Sequence, residues 1–193
     1  MPRGFLARPF ATARLDVLPL RVAHAARMAV VLGDPALHTF IGGTPDTPEE
    51  LRARYERLVA GSPDPAVSWC NWVLRPHDTE RLVGTVQATV TGDGEHAEIA
   101  WVVGTAWQGR GLASEAATAL VARLREGGVR TIAAHIHPGH HASAAVARSA
   151  GLSATSRRQD GEVARSAGLS ATSRRQDGEV RWQLTDTGSD HVT

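Results

Sequence analysis

The chain has 193 residues, with 42% hydrophobic and 21% charged content and a formal net charge of +1. That is enough for one domain with a self-sufficient core, and the balanced charge excludes a dedicated nucleic-acid binder, which needs a basic excess or stripe. No apolar run reaches membrane-spanning length, and the segment around Arg3 and Arg8 lacks a signal-peptide stretch. All 21 basic residues are arginine. The single cysteine, Cys70, precludes an internal disulfide and fits a reducing, cytoplasmic setting; its strand-like context reads as a buried thiol.

In chain order, residues 11–18 read as a first strand ending at Pro19, and Val22 to Leu32 as a helix stopped by Gly33-Asp34-Pro35. Thr47-Pro48-Glu49-Glu50 is a helix start, with Thr47 as N-cap, Pro48 at the first position and Glu50 at the third. Residues 69–74, 81–91 and 97–103 are rich in strand formers and are expected to form an antiparallel meander, the last two joined at Thr91-Gly92-Asp93-Gly94. From Leu112 the period changes: Leu112, Ala116, Leu120 and Leu124 mark one helix face, closed by Gly127-Gly128. Residues 131–136 form the next strand, residues 142–150 a short helix, and residues 179–184 a terminal strand.

Residues 147–163 and 164–180 are identical, letter for letter, over 17 positions. Two undiverged copies indicate a tandem duplication rather than a solenoid. The first copy is expected to finish the helix begun by residues 142–146, and the second to form a hairpin with the terminal strand. Residues 153–169 would then be an extruded insertion, and exchange of the tethered hairpin would give a swapped homodimer. The whole is expected to be one domain, with residues 1–10 as an N-terminal extension and 186–193 as a tail.

The strongest chemical signal is Gln108-Gly109-Arg110-Gly111-Leu112-Ala113, between a strand ending at Val103-Gly104 and a helix. Two glycines at a helix start aim backbone N–H groups at one point, where the helix dipole favours a phosphate, and Arg110 adds charge. A Walker loop is excluded because there is no lysine, and a dinucleotide fingerprint fails because Ser114 occupies its third small position. His135, His137, His140 and His141 leave two alternatives open, a zinc site and a proton relay through His137 or His141. No nearby carboxylate or thiol completes a ligand set, so no metal is expected.

These segments resemble the GNAT superfamily of N-acetyltransferases, whose pyrophosphate loop reads [QR]-x-x-G-x-[GA]; Gln108, Gly111 and Ala113 satisfy it. Glu98-Ile99-Ala100-Trp101-Val102-Val103-Gly104 before the loop is similar too, as is His140-His141-Ala142-Ser143 with Ala150-Gly151-Leu152 after it. Ala13-Arg14-Leu15 is like the branch related to ribosomal-protein N-acetyltransferases, and the likeness spans residues 11–184. The resemblance implies an α/β (α+β) single-domain fold: a mixed, mostly antiparallel twisted sheet of six to seven strands flanked by about four helices. Acetyl-CoA would lie between splayed fourth and fifth strands, its pantetheine arm along Trp101, Val102 and Val103 and its pyrophosphate on Gln108, Gly109, Arg110, Gly111, Leu112 and Ala113. Glu98 would be the general base, with Glu95 and His96 as rivals, and Ser143 the donor to the leaving thiolate. His140 stands where the family has asparagine, also at the cofactor.

The implied activity is acetyl transfer to a primary amine of a small molecule or a protein N-terminus, with no nucleic-acid or membrane partner. The alternative is a non-catalytic acyl-CoA-binding module, its turnover impaired by the C-terminal duplication. Specificity would come from the first helices and from residues 40–46 and 69–72, with Trp69, Trp72 and Trp107 as candidate stacking partners.

Overall fold

The computed structural model describes residues 5–155 and 179–185. Eight strands form one mixed sheet: β1 (Phe10–Ala11), β2 (Leu15–Pro19), β3 (Ser68–Pro76), β4 (Gly84–Thr91), β5 (His96–Val103), β6 (Thr131–Ile136), β7 (Ser153–Ala154) and β8 (Val180–Thr185). Their order is β1-β2-β3-β4-β5-β6-β8-β7. All neighbouring pairs are antiparallel except β5 and β6, which run parallel and are joined through a helix, as parallel neighbours must be. The helices are α1 (Ala25–Leu32), α2 (His38–Ile41), α3 (Pro48–Ala60), α4 (Leu112–Glu126) and α5 (His141–Ser149).

The expected first strand, residues 11–18, is instead broken into β1 and β2. Thr12 and Arg14 turn the chain there because both bind Glu115 in the first turn of α4. The other elements match in type and shift by a few residues at their ends. The start of α3 is a capping box: the Glu50 N–H donates to Thr47 Oγ1 at 3.2 Å and the Thr47 N–H to Glu50 Oε2 at 2.8 Å.

Alternation along the meander sends side chains to two cores. Cys70, Trp72, Leu74, Val86, Ala88, Ala97 and Ile99 pack under α4 and α5. The expected α4 stripe, Leu112, Ala116, Leu120 and Leu124, is buried there, each leucine worth roughly 1.5–3 kcal/mol of transfer free energy. The opposite face buries Val73 and Leu82 under Met28 of α1 and Leu51, Tyr55 and Leu58 of α3. Cys70 is a core thiol: burial pushes its pKa up to about 12, and Sγ donates to the Phe5 carbonyl at 3.3 Å. Trp72 is core as well, with Nε1 donating to the Arg8 carbonyl at 2.9 Å.

The first repeat copy completes α5 through Ser149, as expected. Ser153 and Ala154 correct the expected insertion, because they lie in the sheet: β7 pairs with β8 through Ser153 to Gln183 and Ala154 to Trp182. The shortest connection from the end of α5 reaches this edge first, so the first copy takes it. Residues 156–178, which hold the rest of the expected insertion and the expected second-copy hairpin, lie outside the described residues, as does the 186–193 tail.

Candidate active site

The parallel pairing of β5 and β6 is short. It comprises His96 with Thr131, Ala97 with Ile132 and Glu98 with Ala133, whereas β5 continues to Val103 and β6 to Ile136. Beyond Glu98 the two strands separate as a V, and among the described residues that edge of β5 has no strand partner. An unpaired strand edge carries N–H and C=O groups that need partners, which an extended amide-bearing chain can supply. Trp101 packs toward α4 and Val103 is buried, so these residues offer backbone rather than side chains to the V.

The V opens at the loop leading into α4. Thr105–Trp107 form a 3-10 turn, and Gln108 Nε2 donates to the Val103 carbonyl at 3.0 Å, drawing the loop against the end of β5. Gly109 and Gly111 have φ of 74° and 75°, a left-handed conformation that L side chains resist. A Cβ on Gly109 would meet nothing within 4 Å, so the requirement there is conformational rather than steric. Gly111 is the N-cap of α4, no side chain caps that end, and the first intrahelical bond runs from the Glu115 N–H to Gly111 C=O at 3.0 Å. The N–H groups of the first turn therefore stay available at the positive end of the α4 dipole, the arrangement that binds phosphate.

Glu115 would repel an anion here if it were unmatched. Its carboxylate accepts from Thr12 Oγ1 (2.6 Å), the Arg14 N–H (2.8 Å) and Arg14 Nε (2.6 Å), while Arg14 also donates to the Arg110 carbonyl at 2.9 Å. Burial pushes the Glu115 pKa up, but these donors and the Arg14 charge outweigh it and hold the group below its ordinary value. Arg14 thus neutralises Glu115 and holds the loop, a role the sequence did not reveal. Arg110 folds back, its guanidinium 4.9 Å from the Trp107 ring centre and bonded to the Ala106 carbonyl at 3.3 Å.

Glu98 sits at the closed end of the V, partly buried, with Oε2 3.8 Å from His135 Nε2 on β6. Glu95 and His96 lie at the exposed base beyond it, Glu95 beside Arg130 at 3.8 Å. His140 caps α5 by accepting from the Ser143 N–H at 3.4 Å, which places Ser143 in the first turn of that helix. Burial, then the charges of His137 and His141, lower the His140 pKa. The histidines serve separate contacts: His137 Nδ1 accepts from the Gly139 N–H at 3.0 Å, and among the described residues no three His, Cys, Asp or Glu side chains gather as metal ligands.

Residues 31–42 arch over the V with a foot on each lip. At the β5 lip, Val31 packs so closely on Gly104 that a Cβ there would lie 2.9 Å from Val31 Cγ1, and Thr105 Oγ1 donates to Asp34 at 2.5 Å. That bond, then one from the Ala36 N–H, lowers the Asp34 pKa. At the other lip, Phe40 of α2 stacks on His140 with ring centres 4.4 Å apart and tilts against His137 at 5.4 Å.

Beneath the arch lies a cleft of about 920 Å³, its open part included. Its floor is the face of β3, β4 and β5 that presents Asn71, Thr85, Gln87, Ala100 and Val102, and its walls come from α1, α2 and α3. By alternation Glu98 shares this face of β5. Arg54 and Asp46 form an ion pair at the rim, and Tyr55, whose pKa is raised by burial, has a hydroxyl with no hydrogen-bond partner among the described residues. Of the residues expected to set specificity, Ile41, Gly42, Thr44 and Asp46 from 40–46 and Asn71 and Trp72 from 69–72 line this cleft. Gln87 lies outside the expected ranges, although it is a polar interruption in an apolar strand, a signal that alternation alone could have exposed.

Residues 14–153 match the family described as the acetyltransferase (GNAT) domain. Among solved structures, the chain is similar to a GNAT-family acetyltransferase from Bacillus anthracis (18% identity, TM-score 0.70, covering 92% of this chain and 98% of that one). It is similar to RimL, a ribosomal L7/L12 α-N-protein acetyltransferase in complex with coenzyme A (16%, TM-score 0.71, 92% and 98%). It is also similar to the microcin C7 self-immunity acetyltransferase MccE in complex with acetyl-CoA and AMP (12%, TM-score 0.70, 90% and 93%). A search of curated proteins finds no match. The chain belongs to the GNAT acetyltransferase family and is an acyltransferase with acetyl-CoA as its cosubstrate. Among the described residues no helix is long and apolar enough to cross a membrane.

Proposed function

We propose that the protein transfers the acetyl group of acetyl-CoA to a primary amine of a small molecule or protein N-terminus by direct attack. The observation that carries this reading is the junction of the β5–β6 V, which ends on the uncapped start of α4, with the cleft under the arch. Acetyl-CoA supplies the thioester carbonyl. The edge of β5 from Trp101 to Val103 binds the pantetheine arm, and Gln108 to Ala113 bind the pyrophosphate through backbone N–H groups, with His140 and Ser143 of α5 flanking the arm.

An ammonium acceptor must first lose a proton, and Glu98, directly or through a water, takes it. The amine nitrogen then bonds to the carbonyl carbon, the C–S bond breaks, and Ser143 Oγ relays the proton that the nitrogen sheds on to the departing thiolate. His135 lies close enough to orient the Glu98 carboxylate. Thiol release from acetyl-CoA with a panel of amines tests this reading: binding of acetyl-CoA without turnover of any amine would favour the non-catalytic alternative.

The protein is further proposed to act in the cytoplasm as a homodimer with exchanged C-terminal strands, without nucleic-acid or membrane partners. Support comes from the repeat: Ser170-Ala171-Thr172 repeats Ser153-Ala154-Thr155, so two stretches of identical sequence suit the same edge of β8, one of them available to a second copy. Deleting either copy leaves the same 176-residue chain. Light scattering is expected to show a dimer for the full chain and a different mass for the shortened one; equal masses would refute the exchange.

A further inference from the structure

The cleft under the arch mixes apolar walls with a polar floor, and that floor is a ladder. Asn71 of β3 stands directly opposite Gln87 of β4, and Gln87 opposite Ala100 of β5. Asn71 is only 9% exposed and lies in a strand that otherwise reads Trp69-Cys70 and Trp72-Val73-Leu74. Among the described residues its side-chain amide makes no hydrogen bond, yet its polar atoms are not sealed off, so their open side is the cleft. Gln87 beside it is likewise unpartnered among the described residues and lines the same floor. A ligand that displaces water from two such amides side by side in a strand pair must replace the lost hydrogen bonds, so the pair selects a group able to make them.

The chemistry of the lining narrows what that ligand is. Each amide offers both a donor and an acceptor, which suits an uncharged carbonyl, carboxamide or hydroxyl. The walls are aliphatic: Leu20, Leu32, Leu37, Ile41, Leu51 and Leu58. The charges nearby are already matched, since Arg54 is bonded to Asp46 and the His38 ring nitrogens lie 3.3 Å from the Gly42 and Leu32 carbonyls. Among the described residues that line the cleft the one arginine, Arg54, is held by Asp46, so a carboxylate or phosphate would be desolvated here with little compensation. Ala100 links the ladder to β5, whose far edge lines the V, and strands are about 4.8 Å apart. A group held on Gln87 therefore sits only a few atoms from an amine at the acyl group.

Resting on the N-acetyltransferase reading, we infer that the acceptor is a small primary amine whose apolar body carries one uncharged polar group near the nitrogen, and that Asn71 and Gln87 bind that group. The test compares leucinamide with 3-methylbutylamine, which lacks only the carboxamide, by thiol release from acetyl-CoA. The wild-type kcat/KM should favour leucinamide by about tenfold or more. In Asn71→Leu and Gln87→Met the ratio of the two amines should collapse toward one. The KM for acetyl-CoA should stay in place, and the thermal midpoint of Asn71→Leu should hold or rise because no protein hydrogen bond is lost. A wild-type ratio near one, an unchanged ratio in the variants, or better turnover of glutamate or a hexapeptide with N-terminal leucine would overturn the inference. Calorimetric titration of leucinamide into the CoA-bound protein separates the two readings. Binding lost in Asn71→Leu supports the floor even if nothing turns over, and binding that is absent from, or equal in, both proteins refutes it.

Discussion

The two halves of the site are built from different material. The proposed cofactor half is mainly backbone: a strand edge, two left-handed glycines and an uncapped helix start, contributed largely by the stretch from Glu98 to Ala113. The proposed acceptor half is side chain: Asn71, Gln87, Tyr55, Arg54, Asp46 and the arch through Phe40, brought together from β3, β4, α3 and the segment around α2. Backbone geometry requires particular residue types at fixed spacing, whereas a side-chain cleft can be lined in many ways. The difference predicts that mutations will divide cleanly, some touching acetyl-CoA alone and others the acceptor alone.

The sharpest challenge is Gly111→Val. A β-branched residue at φ of 75° is strained and would turn the first N–H groups of α4 away from the loop. Its kcat/KM for acetyl-CoA is expected to fall by about 100-fold or more while the KM for the acceptor holds. Equal loss on both would mean that the halves are not separable. Glu98→Gln tests the seam between them: steady-state kinetics should show kcat lower by about 10²–10⁴ with both KM values little changed. Intact kcat would move the proton-transfer role elsewhere.

Phe40→Ala removes one foot of the arch. The acceptor KM should rise about fivefold and Phe40→Trp should recover most of it, since a large ring can still stack on His140. A comparable rise in the acetyl-CoA KM would show that the arch serves both halves. The smallest effect concerns pH. His24 and His140 both have folded-state pKa values below their ordinary 6.5, burial being the leading cause for each. The unfolded chain therefore binds more protons as pH falls, so the stability from keeping them neutral is complete above about pH 6.5 and is lost below it. Thermal melts between pH 5 and 8 should slope downward toward acid, and His140→Asn should flatten part of that slope.

Much of the fold was legible in advance because its elements are local. The α4 stripe, the Thr47 capping box, the meander and the glycine loop each depend on neighbours a few residues apart. What escaped was long-range. The break at Thr12–Arg14 exists only because Glu115, about a hundred residues on, finds its partners there at an uncapped helix start. The stacking of Phe40 on His140 likewise joins residues about a hundred positions apart. Of the tryptophans considered for stacking, Trp72 lies in the core and Trp107 lies under Arg110, because their rings found partners that no local pattern announces.

By itself the sequence determined the family, the order of elements and the place of the glycine loop, because periodicity, caps and glycine conformation are properties of short segments. Only the tertiary structure decided that β5 and β6 part after Glu98, that the first repeat copy supplies β7, and that two amides from separate strands face one cleft. Those facts depend on which distant segments pack together, and packing is decided by the fit of whole surfaces rather than by any run of residues.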